Sequence, residues 1–393
     1  MKSVRLIAIL CLLAALAACQ HEAFQQPVGT PVAQPYKTDH SKGAALQAII
    51  DQYTRKGVPG IVVAIKDREG AWEGASGFAK LETGERLTPG FVHAGASLTK
   101  IYTAAAVLKL KEAGRVELDQ PITRYLPPSV TGRISQAEAI TVRMLLNHTS
   151  GIPDFIENSI HFKLKWFNDL SRGWTTEEAL SYAYDKPLRF KPGSSFSYAN
   201  VNYVLLSLLI NHVTGKPEGA FIAESLLEPL GLRRTYYKVQ PAYPDGLPMP
   251  NYYLDRYGDG RLQNVTVPAR AEIRSELGDG GLVATALDFV TFMEALAGGR
   301  VVSAASLDEM KTFGLGEYGL GLETGFNYGK QTQYGHLGAI FGGASLLLYF
   351  EAQQTGLFIA ANVDASLVGG KTLFLYHEMK NKLGEYLSGD GQQ

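Results

Sequence analysis

The chain has 393 residues, 46% of them hydrophobic, enough to bury the core of one large domain or two smaller ones. Lysine and arginine number 37, aspartate and glutamate 38, and the formal net charge is -1. That balance excludes the basic footprint of a nucleic-acid binder, and no run of like charge marks an interaction tail.

At the N-terminus, Lys2 and Arg5 precede the apolar stretch LIAILCLLAALAAC, too short to span a bilayer as a mature helix. It ends in Leu16-Ala17-Ala18-Cys19, which resembles the lipobox of bacterial lipoproteins. The resemblance implies removal of residues 1–18 as a signal peptide, acylation of Cys19 and anchoring in the bacterial cell envelope. Gln20 in place of Asp after the cysteine implies the periplasmic face of the outer membrane. Residues 19–42 are polar, carry Pro27, Pro31 and Pro35, and read as a flexible tether.

A first helix is expected over Ala44–Gly57, with Leu46, Ile49, Ile50 and Tyr53 as its apolar stripe. The stretches IVVAIKD and AWEGASGFA read as antiparallel strands joined near Arg68-Glu69-Gly70. A helix opening within AGASLTKIYTAAAVLKL, from Ala94, follows and is closed by Gly114. Between Leu118 and Leu296 helices and loops dominate, with NYVLLSLLINHVTG, PEGAFIAESLLEPLG and ALDFVTFMEALAGG as helical candidates. Strand-like ASLLLYFE and TGLFIAANV flank a turn at Gln353-Gln354, and an amphipathic helix with Leu373, Tyr376, Met379, Leu383 and Tyr386 comes last. Strands at both ends and helices between them predict an α+β fold, with one antiparallel sheet built from both termini, flanking helices and an inserted, mostly helical subdomain. The domain is expected over 43–390, its sheet part at about 43–115 and 297–390 and its helical part at about 116–296.

The chemistry starts at Ser97 and Lys100, three residues apart and hence on one face at a helix start. A serine hydroxyl is a weak nucleophile until a base takes its proton. A lysine serves as that base where burial and the positive end of a helix disfavour its ammonium. The helix start also offers the backbone N–H of Ser97 to a developing oxyanion. Tyr198-Ala199-Asn200 sits just ahead of an apolar helix, and His336-Leu337-Gly338 leads into strand-like sequence.

Ser97-Leu98-Thr99-Lys100, Tyr198-Ala199-Asn200 and His336-Leu337-Gly338 resemble, in order, the three motifs of the serine β-lactamase and penicillin-binding superfamily, closest to its class C β-lactamase-like branch. ITVRMLLNHTSGIPDF, LLEPLGLRRTYY and GDGGLVATALDF are similar as well, so the resemblance covers about residues 43 to 385. It implies Ser97 as the acylated nucleophile, Lys100 and Tyr198 as shared proton carriers, and Asn200 as the residue orienting substrate or lysine. It further implies His336 on the strand lining the cleft and the N–H of Ala339 as second oxyanion donor, with Leu337 and Gly338 beside the substrate. The implied activity is that of an esterase, a D-aminopeptidase or a D-alanyl-D-alanine carboxypeptidase; a β-lactamase or a catalytically silent penicillin-binding-like envelope protein are the alternatives. A small-molecule or peptide acyl donor is the expected partner, with no nucleic acid, no cofactor and no metal.

Two departures bear on substrate. Leu337 stands where relatives often carry Thr, so a donor to a substrate carboxylate is missing. His336 supplies a less dependable positive charge than lysine. Both favour uncharged esters, amides or D-amino-acid derivatives unless another cation compensates, and Arg274, in the loop before the GDGG stretch, is a candidate. Gly314, Gly316 and Gly319 spell a G-x-G-x-x-G without the βαβ context of a dinucleotide site. His148 reads as a structural residue bonded within its own loop, and the HEMKN stretch at His377 lacks the second histidine of a zinc motif.

Overall fold

Ile61-Val62-Val63-Ala64-Ile65 is apolar at every position, the pattern of a strand buried on both faces. In the computed structural model, which describes residues 40–237, 246–275, 278–329, 332–363 and 370–389, that strand is central to a six-stranded sheet. The signal segment, Cys19 and the tether up to residue 39 lie outside the described residues.

The strands are β1 (Gly60–Asp67), β2 (Gly70–Lys80), β3 (Glu85–Arg86), β4 (Val92–Ala94), β5 (Thr235–Tyr236), β6 (Tyr253–Leu254), β7 (Gln263–Asn264), β8 (Val283–Thr285), β9 (Gln333–Ile340), β10 (Gly343–Phe350) and β11 (Thr355–Ala361). The principal helices are α1 (Gly43–Lys56), α2 (Thr99–Glu112), α3 (Asn200–Thr214), α4 (Thr266–Ser275), α5 (Ala286–Ala297) and α6 (Lys371–Ser388). The main sheet runs β3-β2-β1-β11-β10-β9, antiparallel throughout, so its middle joins a strand from each end of the chain.

The period-2 alternation of the strands divides the core. Ile61, Val63 and Ile65, with Leu346, Leu348, Leu357 and Ile359, pack under α1 and α6. Val62, Ala64, Leu347 and Phe358 face the other way, onto α2, α5 and the helical region. Burying a leucine-sized side chain on either face contributes about 1.5–3 kcal/mol, which ties both chain ends into one body.

The helix expected from Ala94 begins at Thr99 instead. Val92–Ala94 pairs with β8, and the Gly95 N–H donates to Leu282 O at 2.8 Å. A partner far along the chain thus claims residues that local propensity assigned to the helix. PEGAFIAESLLEPLG is also not one regular helix: Glu218–Ile222 is α-helical, and Ala223–Leu227 widens into an i→i+5 turn closed by the Glu228 N–H on Ala223 O. From Thr99 to Leu108 every residue of α2 is buried, so the helix bearing Lys100 runs through the interior.

Candidate active site

Ser97 sits in the 3-10 turn Ala96–Leu98 that feeds α2. Ala96 holds φ at +48°, a conformation disfavoured for a residue with a Cβ and a recurrent mark of functional turns. Two strands of the main sheet hold this turn. The Ser345 hydroxyl of β10 donates to Gly95 O at 3.0 Å, and Gly338 of β9 presses its backbone against the same carbonyl. A Cβ on Gly338 would lie 2.3 Å from Gly95 O, so only glycine permits the contact.

Lys100 is fully buried. Its Nζ lies 3.0 Å from Ser97 Oγ, 2.9 Å from Asn200 Oδ1 and 2.8 Å from Asp279 O. Two of these partners can only accept. A neutral amine that donates to both turns its lone pair toward Ser97 Oγ, the direction needed to take the hydroxyl proton. The Tyr198 hydroxyl donates to Ser97 Oγ at 2.9 Å from the other side. Burial, reinforced by the Glu323 carboxylate, pushes the Tyr198 phenol well above its ordinary range, so it rests as a neutral donor. The result is one continuous chain, Tyr198 O–H to Ser97 O–H to Lys100 N, with every hydrogen assigned.

His148 does more than the sequence suggested. It bonds not within its own loop but to the loop bearing Tyr198: its carbonyl accepts the Ser197 N–H at 3.0 Å and its Nδ1 accepts the Ala199 N–H at 3.2 Å. The two bonds bracket Tyr198, whose ring centroid lies 4.4 Å from the imidazole. Burial, then the nearby Lys100 and His336, hold the His148 imidazole neutral, which keeps its Nδ1 an acceptor. Two further contributors were quoted in the sequence without a role. Asp154 Oδ1 accepts the Val201 N–H at 3.2 Å while its Oδ2 caps the short helix Phe155–Asn158, and this fastens the start of α3 and therefore Asn200. The only signal for Asp154 was an acidic residue at a helix start. Asp279 supplies a backbone carbonyl, which composition cannot reveal; its neighbour Gly278 has φ +71° and faces Tyr203 O so closely that no side chain fits.

β9 forms the free edge of the sheet. The N–H groups of Gly335 and Leu337 point away from β10, toward Glu323 O at 3.0 Å and Glu323 Oε2 at 3.2 Å. By the same alternation the Ala339 N–H points to the open edge, beside the Ser97 turn that Gly338 abuts. Ala339 and Leu337 are exposed on this edge. His336 stands one layer back from the position expected for a catalytic group. Its Nε2 is 2.9 Å from the Tyr318 hydroxyl and its Nδ1 is 2.6 Å from Leu337 O, so both nitrogens are engaged away from Ser97. Burial outweighs the pull of Glu323 and lowers its pKa, which removes His336 as a dependable cation. Arg274 lies on the exposed last turn of α4, not in a loop.

Among the described residues no cluster of three or more His, Cys, Asp or Glu could hold a metal ion, and no helix is long and apolar enough to cross a membrane. The side chains and backbone N–H groups of the site supply a nucleophile, a base, a proton donor and two candidate oxyanion donors, the parts of an acyl-transfer site.

The Beta-lactamase family model matches residues 46–376. The chain belongs to the Beta-lactamase family. This family member is similar to a D-stereospecific amidohydrolase from Streptomyces sp., 29% identical with a TM-score of 0.72 over 86% of this chain and 98% of that one. It is also similar to D-amino acid amidase from Ochrobactrum anthropi SV3, crystallised with L-phenylalanine amide, at 26% identity and a TM-score of 0.76 over 89% and 99% of the two chains. Among curated proteins, protein flp of Staphylococcus aureus (strain COL) is 32% identical over 197 residues, 49% of this chain and 38% of that protein. The chain thus spans well under half the length of that relative. The α+β architecture agrees with the β-lactamase/transpeptidase-like fold of these structures.

Proposed function

We propose that this protein is a serine hydrolase that cleaves amide or ester bonds of D-configured amino-acid derivatives through an acyl-enzyme on Ser97. The observation that carries the reading is the unbroken chain from Tyr198 through Ser97 to Lys100, with links of 2.9 and 3.0 Å. Lys100 takes the Ser97 proton as Oγ bonds to the carbonyl carbon, and the negative charge gathers on oxygen facing the Ser97 and Ala339 N–H groups. Tyr198 gives its proton to the departing nitrogen or oxygen as that bond breaks, and Lys100 restores it through Ser97's vacated position. Water then attacks the acyl carbon, passes its proton to the same pair, and Ser97 leaves with a proton. The D-amino-acid preference leans on the amidohydrolase and amidase relatives. The same proposal includes acylation at Cys19 and residence in the bacterial envelope, supported by the lipobox-like sequence.

A fluorophosphonate probe tests the chemistry. Covalent labelling at Ser97, absent from Ser97→Ala, and faster ammonia release from D-phenylalanine amide than from its L isomer are the expected results. Absence of labelling overturns the acyl-enzyme, and labelling without turnover of any ester or amide identifies a silent penicillin-binding-like protein. For the anchor, a lipid mass on the peptide beginning at Cys19 is expected, with release into the soluble fraction by Cys19→Ala; a wild-type chain without lipid sinks that part.

A further inference from the structure

The missing carboxylate donor at Leu337 has a counterpart elsewhere in the fold. A pocket of about 460 Å³ opens beside Tyr198, and its walls include Leu337, Tyr318, Glu317, Glu323, Lys380 and Asn381. The register explains how α6 comes to share it. Leu337 pairs with Leu346, which packs under α6, so Leu337 emerges on the face of the sheet that α6 covers. On α6, Met379 and Leu383 are fully buried against that face and fix the helix, which leaves the stem of Lys380 along the pocket wall.

Lys380 is half-buried, and among the described residues its ammonium makes no hydrogen bond and no ion pair within 4.0 Å. Partial burial lowers its pKa, against the pull of Glu323. A cation withdrawn from water without a partner is a standing penalty that an anionic ligand group removes. Glu323 does not fill that role: one of its oxygens accepts the Leu337 N–H at 3.2 Å and the other lies 3.5 Å from His336 Nε2. Glu317 and Glu323 instead limit how much negative charge the pocket can take, which favours a monoanion over a dianion.

We propose that Lys380 is the anion-binding residue of this cleft and receives a single carboxylate on the part of the substrate that departs past Tyr198. This rests on the acyl-enzyme reading, in which Tyr198 delivers the leaving-group proton. It also narrows the substrate class. A D-peptide ending in a free carboxylate suits the pocket, and the uncharged donors favoured by Leu337 and His336 alone lose their advantage.

Equilibrium binding to the full-length Ser97→Ala chain tests it without turnover, with acetyl-D-alanyl-D-alanine and its C-terminal carboxamide as the two probes, followed by calorimetry. The carboxylate is expected to bind about tenfold more tightly, the scale of one charge-assisted hydrogen bond. Adding Lys380→Met should equalise the two probes, whereas Lys380→Arg should retain most of the preference. An unchanged thermal midpoint shows that the variants fold. Equal or undetectable binding of both probes to Ser97→Ala, or a preference that survives Lys380→Met, overturns the assignment. Fluorophosphonate labelling of the wild-type chain reports separately on Ser97, so a failure of the acyl-enzyme reading is recognisable as such.

Discussion

At Ser97 two hydrogen-bond partners converge on one oxygen, and the roles follow from what each can donate. Lys100 has two obligatory acceptors, Asn200 Oδ1 and Asp279 O, so its third direction is committed to Ser97. Tyr198 is a buried phenol with its charged form strongly disfavoured. Ser97→Ala is therefore expected to leave the fold intact and activity below about a hundredth of wild type; more residual turnover points to another nucleophile. Lys100→Ala and Tyr198→Phe should each lower kcat by roughly 10²-fold or more, and the double variant by much less than the product. Fully multiplicative losses in that cycle would mean that the two groups act independently. His148, reached only through its contacts, belongs to the same unit because it brackets Tyr198 from both sides.

At the scale of elements, the site is a seam between an edge strand and a helix start. β9 lends its open edge, and the Ser97 turn is held to it by Gly338 and Ser345 through a single carbonyl, Gly95 O. An added methyl at Gly338 would sit 2.2 Å from Ser345 Oγ and 2.3 Å from Gly95 O, so the strand and the turn must separate. Gly338→Ala should then draw the Ala339 N–H away from Ser97 and lower kcat by about 10²-fold, the scale of one lost oxyanion donor. Rates of Ser97 labelling by a fluorophosphonate should fall with it; unchanged labelling would show that Ala339 is not a donor. The third motif was readable as a strand, but which of its residues face the nucleophile depends on the register with β10.

At the scale of the whole molecule, both chain ends build one sheet, and its two faces carry separate cores. His93 of β4 is buried between sheet and helices, and desolvation lowers its pKa to about 3. The unfolded chain binds a proton on this histidine below about pH 6.5, while the folded chain refuses it until far lower pH. Stability from this group is thus complete above about pH 6.5 and falls as pH falls. At pH 5 the unfolded state gains about 1.5 pH units of proton binding, or roughly 2 kcal/mol. His93→Leu should therefore lose about 2 kcal/mol less stability than wild type between about pH 7 and about pH 5, as read by urea unfolding at both pH values. Parallel losses in the two proteins would place the pH sensitivity elsewhere.

The sequence by itself determined the central strands, the terminal helices and the three motifs, because apolar periodicity and residue spacing are local properties that burial then selects. Ser97 with Lys100 was readable for the same reason, since a spacing of three at a helix start defines one face. Only the tertiary structure decided what long-range pairing controls. It moved the helix start from Ala94 to Thr99 by pairing β4 with β8, and set His336 behind the reacting groups through Tyr318. It also recruited His148, Asp154 and the Asp279 carbonyl, whose roles depend on neighbours 46 to 179 residues away in sequence, a relation that no local pattern encodes.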